Sequence, residues 1–119
     1  MKFTLPFPAS SLAGHAKGNG QWKKIADTKK HREWARNAVL AVTGPGLSIA
    51  MPETGDISVC VRFVPADRRG DRVNFPNRMK PYFDGIADAL GINDSRFVPS
   101  YEFSEPEKPG RVEIEVRAI

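Results

Sequence analysis

The sequence predicts an α/β domain in which a mixed β-sheet is covered by two α-helices. Segments near residues 3–7, 57–63 and 111–118 alternate apolar and polar side chains with the period of a half-buried strand. Two other segments repeat apolar residues at spacings of three and four, the period of a helix with one buried face. With a further strand at 97–104, the order is strand, helix, strand, helix, strand, strand. Two amphipathic helices each need an apolar surface to cover, and the sheet supplies it.

Phe3, Leu5 and Phe7 alternate with Thr4 and Pro6, and Pro6 and Pro8 put this strand at an edge or end it early. Ser, Ala and Gly mark Ala9 to Gly20 as a loop. Asp27 and Thr28 both have the chemistry of a helix N-cap, so the first helix is expected from there. Trp34, Ala38, Ala41 and Val42 would share its inward face, and Gly44-Pro45-Gly46 would stop it. Ile57, Val59, Val61 and Phe63 alternate with Ser58, Cys60 and Arg62, the clearest strand in the chain. Ala66 to Val73 reads as a polar loop. Phe75, Met79, Tyr82, Phe83, Ile86 and Leu90 then form a helical stripe. Pro81 limits the regular helix to a start near Lys80, because proline is tolerated only in a first turn. Gly91 ends it. Strands follow at Phe97 to Ser104 and Arg111 to Ala118, separated by the Pro- and Gly-containing turn Glu105 to Gly110. Val112, Ile114, Val116 and Ala118 should face inward, and Phe83, Ile86 and Leu90 should pack on Ile57, Val59, Val61 or Phe63.

A chain of 119 residues is expected to form one domain spanning 1–119. Its 40% hydrophobic and 27% charged content excludes a collagen, a coiled coil or a wholly disordered chain. The longest apolar run, Ala38 to Val42, is far too short to span a membrane. Pro6 and Pro8 interrupt what would be the apolar core of a signal peptide, so the N-terminus reads as mature strand and turn. Cys60, the single cysteine, excludes an internal disulfide and fits a reducing compartment, so a cytoplasmic location is expected. Eighteen Lys and Arg against 14 Asp and Glu give a net charge of +4. The excess lies between Lys2 and Arg36 and again between Arg68 and Lys80, an uneven spread that suits an anionic partner such as nucleic acid. Lys17, Lys23, Lys24, Lys29 and Lys30 are the candidate phosphate contacts of the first region.

One cysteine and two distant histidines, His15 and His31, cannot make a closed zinc site, and neither a Gly-x-Ser-x-Gly nor a phosphate-loop motif occurs. Both histidines are expected at the surface near lysines. The informative stretch is Asp67-Arg68-Arg69-Gly70-Asp71-Arg72-Val73-Asn74, followed by Lys80, Asp84 and the turn Gly91-Ile92-Asn93-Asp94. Carboxylates from two such loops in a basic setting suit a hard cation such as magnesium beside a phosphate. The competing reading makes Asp71 and Asp94 turn residues, and residue types alone favour it. Lys80, Asp84 and Asp88, four apart, also read as a solvated row of helix ion pairs.

In order and spacing, Arg68-Arg69, Asp71-Arg72-Val73-Asn74, Lys80, Asp84-Gly85-Ile86 and Asn93-Asp94 resemble the RusA family of Holliday-junction resolvases, notably its phage-borne members. The opening Leu5-Pro6-Phe7-Pro8-Ala9-Ser10 is similar to that family's Leu-Pro-aromatic-Pro-x-Ser start. The resemblance implies a RusA-like fold, a two-fold homodimer in that family's manner, and a magnesium-dependent endodeoxyribonuclease acting on branched DNA. It implies Asp71 and Asp94 as metal ligands, Lys80 beside the scissile phosphate, and phosphate contacts from Arg68, Arg69, Arg72 and Arg78. Val73 stands where the family carries its second catalytic aspartate, and Asn93 where it carries the first acid of the closing pair. Loss of one carboxylate weakens a magnesium site or changes its geometry unless Asp67 or Asp84 completes it. A DNA-binding homologue without nuclease activity is therefore the alternative. An unrelated RNA- or protein-binding domain is a more distant one, since the exposed-aromatic strand motifs of common RNA modules are missing.

Overall fold

The computed structural model describes residues 1–13, 19–43 and 51–119. Its elements are β1 (Lys2–Pro6), α1 (Asn19–Thr43), β2 (Ile57–Val64), α2 (Lys80–Leu90), β3 (Phe97–Phe103) and β4 (Arg111–Ala118). Short 3-10 segments occur at Ser10–Leu12, Arg72–Arg78 and Asp94–Arg96. The sheet is mixed, in the order β1-β4-β2-β3. β4 lies antiparallel to both β1 and β2, with Phe3 opposite Ile114 and Val61 opposite Ile114 from the other side. β2 and β3 run parallel, Val61 opposite Tyr101, joined by the crossover through α2.

Alternation along the strands sorts the two sheet faces. Phe3, Leu5, Ile57, Val59, Val61, Phe63, Val112, Ile114 and Val116 are buried on the helix side, together with Ala35, Val39, Phe75, Met79, Tyr82 and Ile86. The opposite face carries paired charge: across strands Lys2 meets Glu115 at 3.3 Å and Arg62 meets Glu102 at 3.3 Å and Glu113 at 3.8 Å, while along β4 Arg117 meets Glu115 at 2.8 Å. The proline-bearing β1 is an edge strand, and the other edge, β3, also carries a proline, Pro99. Ala118, the last residue of β4, is exposed rather than inward, although Ile57 opposite it is buried.

The first helix differs most from expectation. It begins at Asn19, well before Asp27, and its first turn holds no acidic residue. Asp27 is no N-cap: its carboxylate accepts the Ser11 hydroxyl at 2.6 Å and Lys23 Nζ at 3.3 Å. Thr28 instead donates to the Lys24 carbonyl one turn back, at 2.7 Å. The inward line is Asp27, His31, Ala35 and Val39, four apart, whereas Ala41 and Val42 are exposed and Trp34 and Ala38 are half-buried. Two polar residues on that line hide its apolar period. The expected Gly44-Pro45-Gly46 stop lies outside the described residues.

The second helix begins at Lys80 with Pro81 in its first turn and ends at Gly91, whose φ of 65° is the left-handed cap that glycine adopts without cost. Phe75 belongs to the preceding 3-10 segment rather than to the helix itself. Ile86 is fully buried, while Phe83 and Leu90 are half-buried at the margin of the core. At Gly85 the two helices approach closely. A Cβ there would lie 2.2 Å from the Arg32 carbonyl oxygen and 2.8 Å from the Ala35 Cβ, so only glycine fits. Arg32 closes the crossing with two bonds to Asp88, at 2.6 and 2.9 Å.

Candidate active site

The loop after β2 is organised by its own carboxylates. Asp67 accepts the Arg69 backbone N–H at 2.9 Å and its guanidinium at 2.7 Å. Asp71 caps the 3-10 segment, accepting the Val73 N–H at 3.0 Å and the Asn74 side-chain amide at 3.4 Å. Val73 points outward with 80% of its surface exposed. The segment that follows delivers Lys80 to the start of α2.

There the Lys80 ammonium binds Asp84 at 2.9 Å, one turn along the same helix, and also Asp94, at the head of the 3-10 segment that leads into β3. These bonds hold the Asp94 carboxyl below the usual carboxylate range and the Lys80 ammonium above the usual lysine range, so both are charged at neutral pH. Asn93 caps Asp94–Arg96 by accepting the Ser95 N–H at 2.9 Å, a task an amide performs as well as a carboxylate. The row of residues four apart is thus divided: Asp84 serves Lys80, and Asp88 reaches Arg32 on α1.

The basic residues have separate fates. Arg68 pairs with Glu105 at 2.7 Å and Arg69 with Asp67, both on the surface. Arg72 is exposed. Arg78 is committed to the fold: it donates to the Pro8 carbonyl at 3.2 Å, and its guanidinium lies 5.9 Å from the Phe7 ring centre and 5.3 Å from that of Phe75. On α1, Lys23 pairs with Asp27, Lys30 lies 5.4 Å over the Trp34 ring, Lys29 is exposed and Lys24 is partly exposed. Lys17 lies outside the described residues, as does His15.

No protein-family model matches the chain. An uncharacterized protein of Xylella fastidiosa (strain Temecula1 / ATCC 700964) is 36% identical over 119 residues, a match covering 98% of this chain and 75% of that protein. The chain belongs to the family of that Xylella protein. The match takes in both helices and the whole 67–94 stretch that carries the candidate site.

His31 is the polar residue that sequence reasoning misplaced. It is buried rather than at the surface, its Nδ1 bonded to the Asp27 carbonyl at 2.7 Å and its ring 5.1 Å from that of Tyr82. Tyr82 in turn donates to the Pro6 carbonyl at 2.6 Å. The spacing of four from Asp27 through His31 to Ala35 and Val39 was the available signal. Asp84 joins Lys80 by the familiar spacing of four, but its sharing of that ammonium with Asp94 crosses two elements and leaves no local trace.

Proposed function

We propose that the chain is a RusA-type, magnesium-dependent endodeoxyribonuclease that cuts Holliday junctions or related branched DNA in the cytoplasm, acting as a two-fold homodimer. The observation that carries this reading is the Lys80 ammonium held between Asp84 and Asp94. It joins two residues that the sequence resemblance singled out independently, from opposite ends of α2. Lys80 is charged, fixed and surface-accessible, the requirements for stabilising negative charge as it develops on a phosphate. Asp84 and Asp94 orient it. Arg68, Arg69 and Arg72 would hold flanking phosphates without reading sequence.

Asp71 and Asp94 are carboxylate donors of the type magnesium takes and are the residues that would hold it, though the described residues bring no three such donors together. When bound, the ion would polarise the phosphate and lower the pKa of a coordinated water. A four-way junction is two-fold symmetric and its resolution needs two opposed cuts, which accounts for the dimer in the proposal.

The exposed, apolar Val73 favours a second reading, a DNA-binding homologue that does not cut. One experiment separates the two: nicking of a synthetic four-way junction with and without magnesium, by the unaltered protein and by Lys80→Ala. The nuclease reading expects magnesium-dependent nicks that fall about 100- to 1,000-fold in the variant. Junction binding without nicking at any magnesium concentration would establish the second reading instead.

A further inference from the structure

The first three turns of α1 present an unusual surface. Trp22 and Ile25, three residues apart and therefore on one side of the helix, are 73% and 53% exposed. Beside them runs a shallow groove of about 430 Å³ lined by Gln21, Lys24, Ile25, Thr28, Lys29 and Arg32, the last ion-paired with Asp88. Asp27 is the sole acid between Asn19 and Arg32, and it is turned inward to Ser11 and Lys23. A large indole left in water on a cationic surface is poorly explained by folding, since it adds nothing to the core.

We propose that this part of α1 receives an unpaired nucleobase of branched or single-stranded DNA, which stacks on Trp22 and Ile25 while Lys29 contacts the adjoining phosphate. The proposal rests on the nucleic-acid reading above and gives it a means of distinguishing branched from paired DNA. An indole offers a flat face to any base, so such contact needs no sequence. Bases in an intact duplex are already stacked on their neighbours and are available only where pairing is interrupted. The positive charge of the surface selects an anionic strand over an apolar protein partner.

The test is equilibrium binding, in EDTA and at fixed salt, to a four-way junction, a thymidine homopolymer and a paired duplex of equal length. Trp22→Ala should weaken binding to the first two about 5- to 150-fold, the equivalent of one lost base stack, with a much smaller change on the duplex. Trp22→Tyr, which keeps a stacking face, should restore most of the loss, and Lys29→Ala should lower the salt slope on all three DNAs. An equal loss on all DNAs, or none, would overturn the proposal while leaving the nuclease reading intact. A dimer that dissociates in Trp22→Ala with DNA binding preserved would assign the surface to a second copy of the chain. Loss of sedimentation with phosphatidylserine vesicles, again with DNA binding preserved, would assign it to a membrane. Failure of the unaltered protein to bind any of the DNAs would overturn both readings.

Discussion

His31 Nε2 accepts the backbone N–H of Ala9 at 3.2 Å and so fastens the segment after β1 to the middle of α1. The tautomer follows from its partners. The Asp27 carbonyl can only accept, so Nδ1 carries the proton and Nε2 must be bare. A second proton on His31 would face the Ala9 N–H with another donor.

Burial accordingly pushes the His31 pKa below its ordinary value of 6.5. A histidine with a depressed native pKa leaves the unfolded chain holding more protons below that value, so stability is complete above about pH 6.5 and declines as the pH falls toward the native pKa. Asp27 does not share this window, because the Ser11 hydroxyl holds its carboxyl below the usual carboxylate range. Urea midpoints measured from pH 8 to pH 5 should fall for the unaltered protein and flatten in His31→Gln. Identical slopes for the two proteins would assign the decline to other groups.

Gly85 should tolerate no side chain. In Gly85→Ala the added methyl meets backbone on α1 rather than a movable side-chain tip, so the helices must separate, at a cost of about 1–3 kcal/mol or more. Chemical denaturation reads this directly. A loss below about 0.5 kcal/mol would mean that the crossing yields easily.

Arg68 and Arg69 hold only surface carboxylates, Glu105 and Asp67, which a phosphate can replace. Changing both to Ala should weaken binding to all DNA sequences alike and lower the salt slope by about two contacts. An unchanged slope in a salt titration would remove this loop from the interface.

Val73→Asp should tighten magnesium binding and raise junction cleavage by about 10- to 100-fold, if a restored carboxylate reverses the usual cost of ligand loss. The position is open to solvent, so thermal stability and metal-free DNA affinity should barely move. Robust cleavage by the unaltered protein that is indifferent to this change would mean that another residue completes the site.

The strands were legible because a sheet covered on one side forces strict alternation, as Ile57 through Phe63 display. The start of α2 was legible because Pro81 permits few alternatives. The start of α1 was not, since Asn19-Gly20-Gln21-Trp22 resembles loop in composition and Asp27 resembles a cap until Ser11 is seen bonded to it. At the candidate site, spacing alone pairs Lys80 with Asp84. The contact with Asp94 depends on how α2 and the turn after it return toward β3, which a local reading of residues does not contain.

Among the described residues β1 pairs only with β4, and β4 is also the strand that joins β1 to β2. During synthesis β1 therefore waits for β4, with Lys2 meeting Glu115. Until β4 leaves the ribosome, Phe3 and Leu5 have no strand to pair with, and β2 has only its parallel neighbour β3. Closure of the sheet consequently has high contact order, and the nascent chain carries an open strand edge until β4 is made.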